Sequence, residues 1–204
     1  GETFEGCNGG YQTTQFYGGF SSSFQDTAMS MGGMQDNATA IYFGSKEWYR
    51  VIGGDGGWTA IDASNDNVIY GSSQYLSMYR STNRGESFNY AGPPSSGAGF
   101  IAPYISLPSN PSTIYAGGSA VYKSTNRGSS WSSGITLDGT PLITMAAAMS
   151  CINFMYAATA PVNTRSGIFV TTNQGASWQN ITQDLPNKYP MDIAVHPDDP
   201  AEAY

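Results

Sequence analysis

Ser124-Thr125-Asn126-Arg127-Gly128-Ser129-Ser130-Trp131 decides the fold, because the pattern returns without a gap as Ser81-Thr82-Asn83-Arg84-Gly85-Glu86-Ser87-Phe88 and as Thr171-Thr172-Asn173-Gln174-Gly175-Ala176-Ser177-Trp178. Gly1-Glu2-Thr3-Phe4 matches the second half of the same box, and Gly44-Ser45-Lys46-Glu47-Trp48 is a worn copy displaced by one residue. The closing aromatics Phe4, Trp48, Phe88, Trp131 and Trp178 are spaced by 44, 40, 43 and 47 residues, so one structural unit recurs along the chain. Each clear copy explains itself. The third residue, Asn83, Asn126 or Asn173, accepts backbone N–H groups across a tight turn. Gly85, Gly128 or Gly175 takes a conformation closed to side chains, and Phe88, Trp131 or Trp178 packs between strands. These nine residues are read as a structural staple.

A second element repeats in phase. Ile61 to Tyr70, Ser106 to Tyr115 and Val195 to Tyr204 each run from a strand end through a turn of Pro, Asn or Asp into a new strand reaching Tyr. Each unit then reads as four short strands, placed in the second unit near 56–62, 67–72, 76–81 and 86–90. Four-stranded antiparallel units at this period are blades, and the expectation is an all-β propeller. Complete blades are expected at 14–52, 56–90, 100–133 and 142–181, with partial blades at 1–5 and 190–204. Those partial blades together lack a third strand, and closing them on each other would leave backbone groups unpaired. A fragment of a larger propeller is expected, with the remaining blades supplied by the same or another chain.

Composition supports the reading and removes several function classes. With 25 Gly, 14 Tyr and only 11% charged residues, the chain suits short strands and tight turns better than amphipathic helices. The net charge is −7 and the 8 Lys and Arg are scattered, which argues against nucleic acid. No apolar run approaches the roughly 20 residues of a membrane helix. The cysteines, Cys7 and Cys151, form no CxxC pair, and His196 is the single histidine, so neither a metal nor a cofactor is expected. Little Lys with abundant Ser, Thr, Asn and Tyr points to an extracellular, cell-surface or periplasmic protein.

The boxes at 81–88, 124–131 and 171–178 resemble the Asp-box, or BNR, repeats of sialidases, xyloglucan-specific endoglucanases, sortilin-type receptors and the photosystem II assembly propeller. Asn stands at the third position where Asp is commoner. Residues 8–84 carry a narrower likeness, in Asn8-Gly9-Gly10-Tyr11-Gln12, Gly32-Gly33-Met34-Gln35-Asp36-Asn37, Gly53-Gly54-Asp55-Gly56-Gly57-Trp58 and Tyr79-Arg80-Ser81-Thr82. They are similar to large secreted bacterial BNR-repeat proteins of sortilin-like and glycosyl-hydrolase-like kind. The resemblance implies a propeller; its activity is open, because this architecture hosts enzymes, receptors and scaffolds.

A sialidase-like site needs three clustered arginines, yet Arg84 and Arg127 lie inside boxes, Arg80 just precedes one, and no Arg-Ile-Pro occurs. An endoglucanase-like site needs two carboxylates across a cleft. Asp55, among glycines before a first strand, is one candidate for catalysis or ligand contact, with Trp58 and Tyr75 as candidate ligand-binding residues. Xyloglucanases are similar in placing an Asp among glycines at such a position. Asp36 is a second candidate carboxylate. Both aspartates also read as turn caps. Tyr11, Phe16, Tyr17, Tyr79 and Tyr104 are further aromatics for a glycan groove. The reading reached is a glycan- or protein-binding module. Its rivals are a glycoside hydrolase completed by blades elsewhere and a structural or assembly subunit.

Overall fold

A computed structural model describes residues 14–161 and 163–204. The half-box ending at Phe4, the partial blade 1–5, Cys7 and Tyr11 lie outside the described residues. Among the described residues the regular structure is all β, in four antiparallel sheets that follow one another along the chain. The first sheet holds β1 (Ser21–Ser22), β2 (Met29–Met34), β3 (Ala38–Phe43) and β4 (Trp48–Ile52). The second holds β5 (Thr59–Ile61), β6 (Ile69–Ser73), β7 (Ser77–Ser81) and β8 (Asn89–Tyr90). The third holds β9 (Tyr104–Leu107), β10 (Asn110–Gly117) and β11 (Val121–Ser124), and the fourth β12 (Leu142–Ala147), β13 (Met155–Thr159), β14 (Ile168–Thr171) and β15 (Gln179–Asn180). Strands pair with their chain neighbours throughout, as in a section of a propeller.

The first strands touch in succession, β1 with β5, β5 with β9 and β9 with β12, so they form the inner rim and the fourth positions lie outermost. Second strands lie in the middle of their sheets, and Met155-Tyr156-Ala157-Ala158-Thr159 is buried at every position, with Met155 and Ala157 against the third sheet and Tyr156 bonding Pro200 O of the C-terminal hairpin. The core is therefore a set of seams. Met29, Met31 and Ile41 of the first sheet meet Ile61 and Ile69 of the second. Tyr70, Leu76 and Met78 meet Tyr104 and Ile114, and Leu107, Tyr115 and Val121 meet Leu142, Met145 and Met155. Each fully buried Ile, Leu or Met contributes about 1.5–3 kcal/mol.

The three boxes share one geometry. Ser124 Oγ accepts the Gly128 N–H at 2.8 Å and donates to Asn126 Oδ1 at 3.0 Å, while Asn126 Oδ1 accepts the Ser130 N–H at 2.9 Å. The same bonds recur through Ser81 and Asn83, and through Thr171 and Asn173. The fourth residue is left-handed in every copy, with φ of 58° at Arg84, 57° at Arg127 and 56° at Gln174. That twist aims its N–H at the segment leading into the second strand of the same sheet, bonding the Asn67 and Asn153 carbonyls in the turns before β6 and β13 and the Ser112 carbonyl near the start of β10, at 2.9–3.1 Å. Gly85 has φ of 93°, and a Cβ there would stand 2.5 Å from Ile41 Cδ1 of the preceding sheet. The box side chains also reach back across the seam. Arg127 Nε meets Asp62 Oδ2 at 2.9 Å, and Arg84 bonds Asp26.

Two places depart from the repeat. A complete blade is expected at 100–133, but the third sheet has three strands, its fourth edge reduced to contacts of Ser132 with Lys123 and of Ile135 with Val121. A left-handed Gly134, φ 80°, interrupts the pairing between them. The worn copy keeps only a Ser45 Oγ bond from the Glu47 N–H at 3.2 Å, having no Asn to bridge the turn. The small residues from Met145 to Cys151 suggest a tightly packed inner strand, and Met145–Ala147 form the end of the inner strand β12. At the C-terminal end Ala194 and Tyr204 exchange backbone bonds of 2.9 and 2.8 Å, closing a hairpin whose turn is capped by His196 Nδ1.

Replacing Asn126 by Ala removes an acceptor from an exposed turn, and the expected loss is about 1 kcal/mol, read from urea midpoints, with Asn126→Asp close to the parent. The Asp62–Arg127 pair predicts a pH effect. Burial alone raises the Asp62 carboxyl, but bonds from Ser64 and Arg127 outweigh it and hold the group below its ordinary value. Asp62 therefore stabilises the fold fully above the ordinary carboxylate pKa of about 4, and the contribution is lost as pH falls through the lowered folded value. Arg127→Met should cost about 2 kcal/mol at pH 7, with the gap to the parent narrowing below about pH 4.

Candidate functional site

The boxes and the turns between first and second strands occupy one end of the sheets. The opposite end carries the turns between second and third strands and the connections between sheets. Gly53-Gly54-Asp55-Gly56-Gly57 is such a connection, joining β4 to β5. Gly56 donates to Met34 O at 3.0 Å and Gly57 to Ser72 O at 2.8 Å. A Cβ on Gly33 would stand 2.0 Å from Gly57 O, so these glycines let two backbones of the protein approach each other. The space beside these glycines is taken by chain.

Asp55 bridges two sheets. Its Oδ1 accepts the Asp36 N–H at 2.5 Å, in the β2–β3 turn, and its Oδ2 accepts Gln74 Nε2 at 3.2 Å, in the β6–β7 turn. Asp36 and Ala38 are both left-handed, with φ of 57° and 73°, and the bond to Asp55 helps hold that turn. Tyr17 lies within electrostatic reach of both aspartates. Its phenol is raised by burial first, then by the negative charges of Asp55 and Asp36.

One residue beyond Gln74, Tyr75 is 64% exposed while Leu76 is buried in the seam between the second and third sheets. Both are left-handed, with φ of 57° and 60°, and Tyr75 N–H bonds Phe100 O at 3.0 Å. The Tyr75 ring stands edge-on to Phe100, centroids 5.4 Å apart. Trp58 sits elsewhere. Gly19 covers one of its ring faces, and its remaining edge lines an inner-rim groove of about 380 Å3 with Phe20, Phe24 and Tyr104.

The structure thus brings Asp36, Asp55 and Tyr17 together and sets Tyr75 beside them through Gln74. Gln74 and Phe100 have no motif in the sequence, and only the pairing of sheets reveals them. Tyr104 is buried, its hydroxyl bonded to Trp58 O, and Tyr79 packs against Tyr90. Phe16 packs on Phe20 and Trp48 at 5.2 and 5.1 Å. Arg80, Arg84 and Arg127 are engaged in seams, and Arg165 holds the carbonyls of Gln183 and Leu185. Among the described residues no group of three or more His, Cys, Asp or Glu is arranged to hold a metal, and no helix is long and apolar enough to cross a membrane.

No family model matches the sequence, and no curated protein sequence matches it either. Solved structures do share the fold. An ancestral GH74 enzyme superposes with a TM-score of 0.68 at 20% identity, over 86% of this chain and 27% of that one. The GH74 xyloglucanase of Xanthomonas campestris gives 0.67 at 15% identity, over 87% and 33%. YCF48 of Cyanidioschyzon merolae gives 0.63 at 12%, over 91% and 61%. At these identities the likeness establishes the propeller fold, and this chain spans less than two thirds of each neighbour.

Because Asp55 serves two turns at once, Asp55→Ala should lower stability by about 1–2 kcal/mol, discounted for partial exposure. Hydrogen exchange should rise at the Asp36 amide and leave the boxes unaffected; a protected Asp36 amide in the variant would contradict the assignment.

Proposed function

We propose that this protein is an Asp-box propeller acting outside the cytoplasm, at the cell surface, in the periplasm or beyond, and that it binds glycan at the end carrying Asp55 and Tyr75. The ranges 14–52, 56–90, 100–133 and 142–181 are its blades in this reading, with the boxes as their outer staples. The supporting observation is Tyr75, a bulky residue held outward in a left-handed turn, edge-on to Phe100 and next to the Gln74–Asp55 pair. A left-handed conformation costs a bulky residue roughly 1–2 kcal/mol, and such strain gathers at binding sites. An exposed ring beside amide and carboxylate groups suits a sugar, whose C–H face stacks while its hydroxyls bond. Two structural neighbours are named for GH74 activity, one of them a xyloglucanase, which makes β-glucans the first ligands to try.

Asp36 and Asp55 near Tyr17 also favour a second reading, hydrolysis by a carboxylate pair completed from other blades. Asp55 is occupied by Asp36 N–H and Gln74, which favours binding over chemistry. Calorimetric titration with xyloglucan oligosaccharides and other β-glucans separates the two. Tyr75→Ala should weaken binding roughly tenfold, about 1.4 kcal/mol. Unchanged affinity would remove this surface from consideration, and release of reducing ends abolished by Asp55→Asn would favour the hydrolase.

A further inference from the structure

At the seam between the third and fourth blades the third sheet carries one inserted residue that the second and fourth sheets lack; the first sheet has the same slip, Ile41 pairing with Tyr49 and Thr39 with Ile52, one and four residues past Trp48. In the second sheet Arg80 pairs with Asn89 and Met78 with Ala91, one and three residues past the closing aromatic Phe88. The fourth sheet repeats this, Val170 with Gln179 and Ile168 with Ile181, one and three past Trp178. In the third, Lys123 pairs with Ser132, one past Trp131, but Val121 pairs with Ile135, four past it. The extra residue is a bulge at Ser133–Gly134. Gly134 has φ of 80° and lies against the Tyr122 ring, where a Cβ would come within 2.7 Å.

The bulge changes what the next blade meets. Trp131 Nε1 donates to Ala91 O at 3.0 Å, across the preceding seam. Among the described residues the buried Trp178 Nε1 of the fourth sheet has no hydrogen-bond partner. At this seam a groove of about 600 Å3 opens, lined by Lys123, Ser132, Ser133, Gly134, Asn153 and Gln174 among others. Such a volume suits a small organic ligand.

The charge in this groove comes from Lys123. Its Nζ lies 3.3 Å from Gln174 O and 5.3 Å from the centre of the Tyr115 ring. The ion pairs among the described residues all belong to Arg84 and Arg127, so in a chain with 15 acidic residues Lys123 faces the groove without a carboxylate. One ammonium beside serine hydroxyls and side-chain amides matches a monoanion that also carries hydroxyl groups.

We propose that this bulged seam is a binding site for a small hydroxylated carboxylate of the uronic-acid class. It is separate from the Tyr75 surface and does not depend on it. The test is titration of the full protein with glucuronate, glucose and acetate, followed by tryptophan fluorescence and calorimetry. Glucuronate should bind at least tenfold more tightly than glucose, and Lys123→Gln should erase that preference while leaving any glucose affinity in place. Deleting Gly134 should restore the regular pairing, close the groove and abolish binding; if that variant does not fold, Ser133→Trp fills the same space. Tyr75→Ala should leave glucuronate affinity unchanged. Equal affinity for glucuronate and glucose, or a Lys123→Gln variant that retains the preference, overturns the proposal.

Discussion

The lock between each box and its surroundings is the constraint on which the rest of this structure depends. A four-stranded blade buries its second strand on both faces, so it is stable only while its neighbours stay in place. The box makes that contact definite. Its left-handed fourth residue ties the outer turn to the segment leading into the second strand of its own sheet. Its glycine and side chain then press on the preceding sheet. Asp62, fully buried and answered by Arg127 from the next blade, shows how far the blades are interdependent.

At the opposite end, the Gly53–Gly57 connection does for two neighbouring sheets what the boxes do at the outer rim. Asp55 draws the β2–β3 turn and the β6–β7 turn together, and both turns carry left-handed residues. An aspartate that looks catalytic in a glycine-rich sequence is here engaged by a backbone amide and a glutamine. The exposed ring of Tyr75 is the consequence with the most bearing on ligands, because the turn that buries Leu76 turns Tyr75 outward.

Repetition also makes exceptions readable. The second and fourth sheets share one register, and the added residue at Gly134 stands out against it, as does the slip at Thr39 and Ala40 in the first sheet. A groove that Lys123 faces lies beside Gly134, and the buried Trp178 Nε1 of the next sheet has no hydrogen-bond partner among the described residues. No local feature of Trp131-Ser132-Ser133-Gly134-Ile135 announces this, since Gly after Ser is ordinary turn composition.

The sequence by itself determined the all-β class, the unit length and the four-strand order, because these rest on local chemistry repeated at a fixed interval. Asn, Gly and a closing aromatic at set offsets make one kind of turn wherever they occur. Tertiary structure alone decided the partners. Asp36 meets Asp55, Gln74 joins them, and Tyr75 finds Phe100 through contacts between residues 19 to 25 positions apart and in different sheets, which no local pattern encodes. The third sheet's register belongs there too, because a one-residue slip is visible only when a strand is laid beside its neighbour.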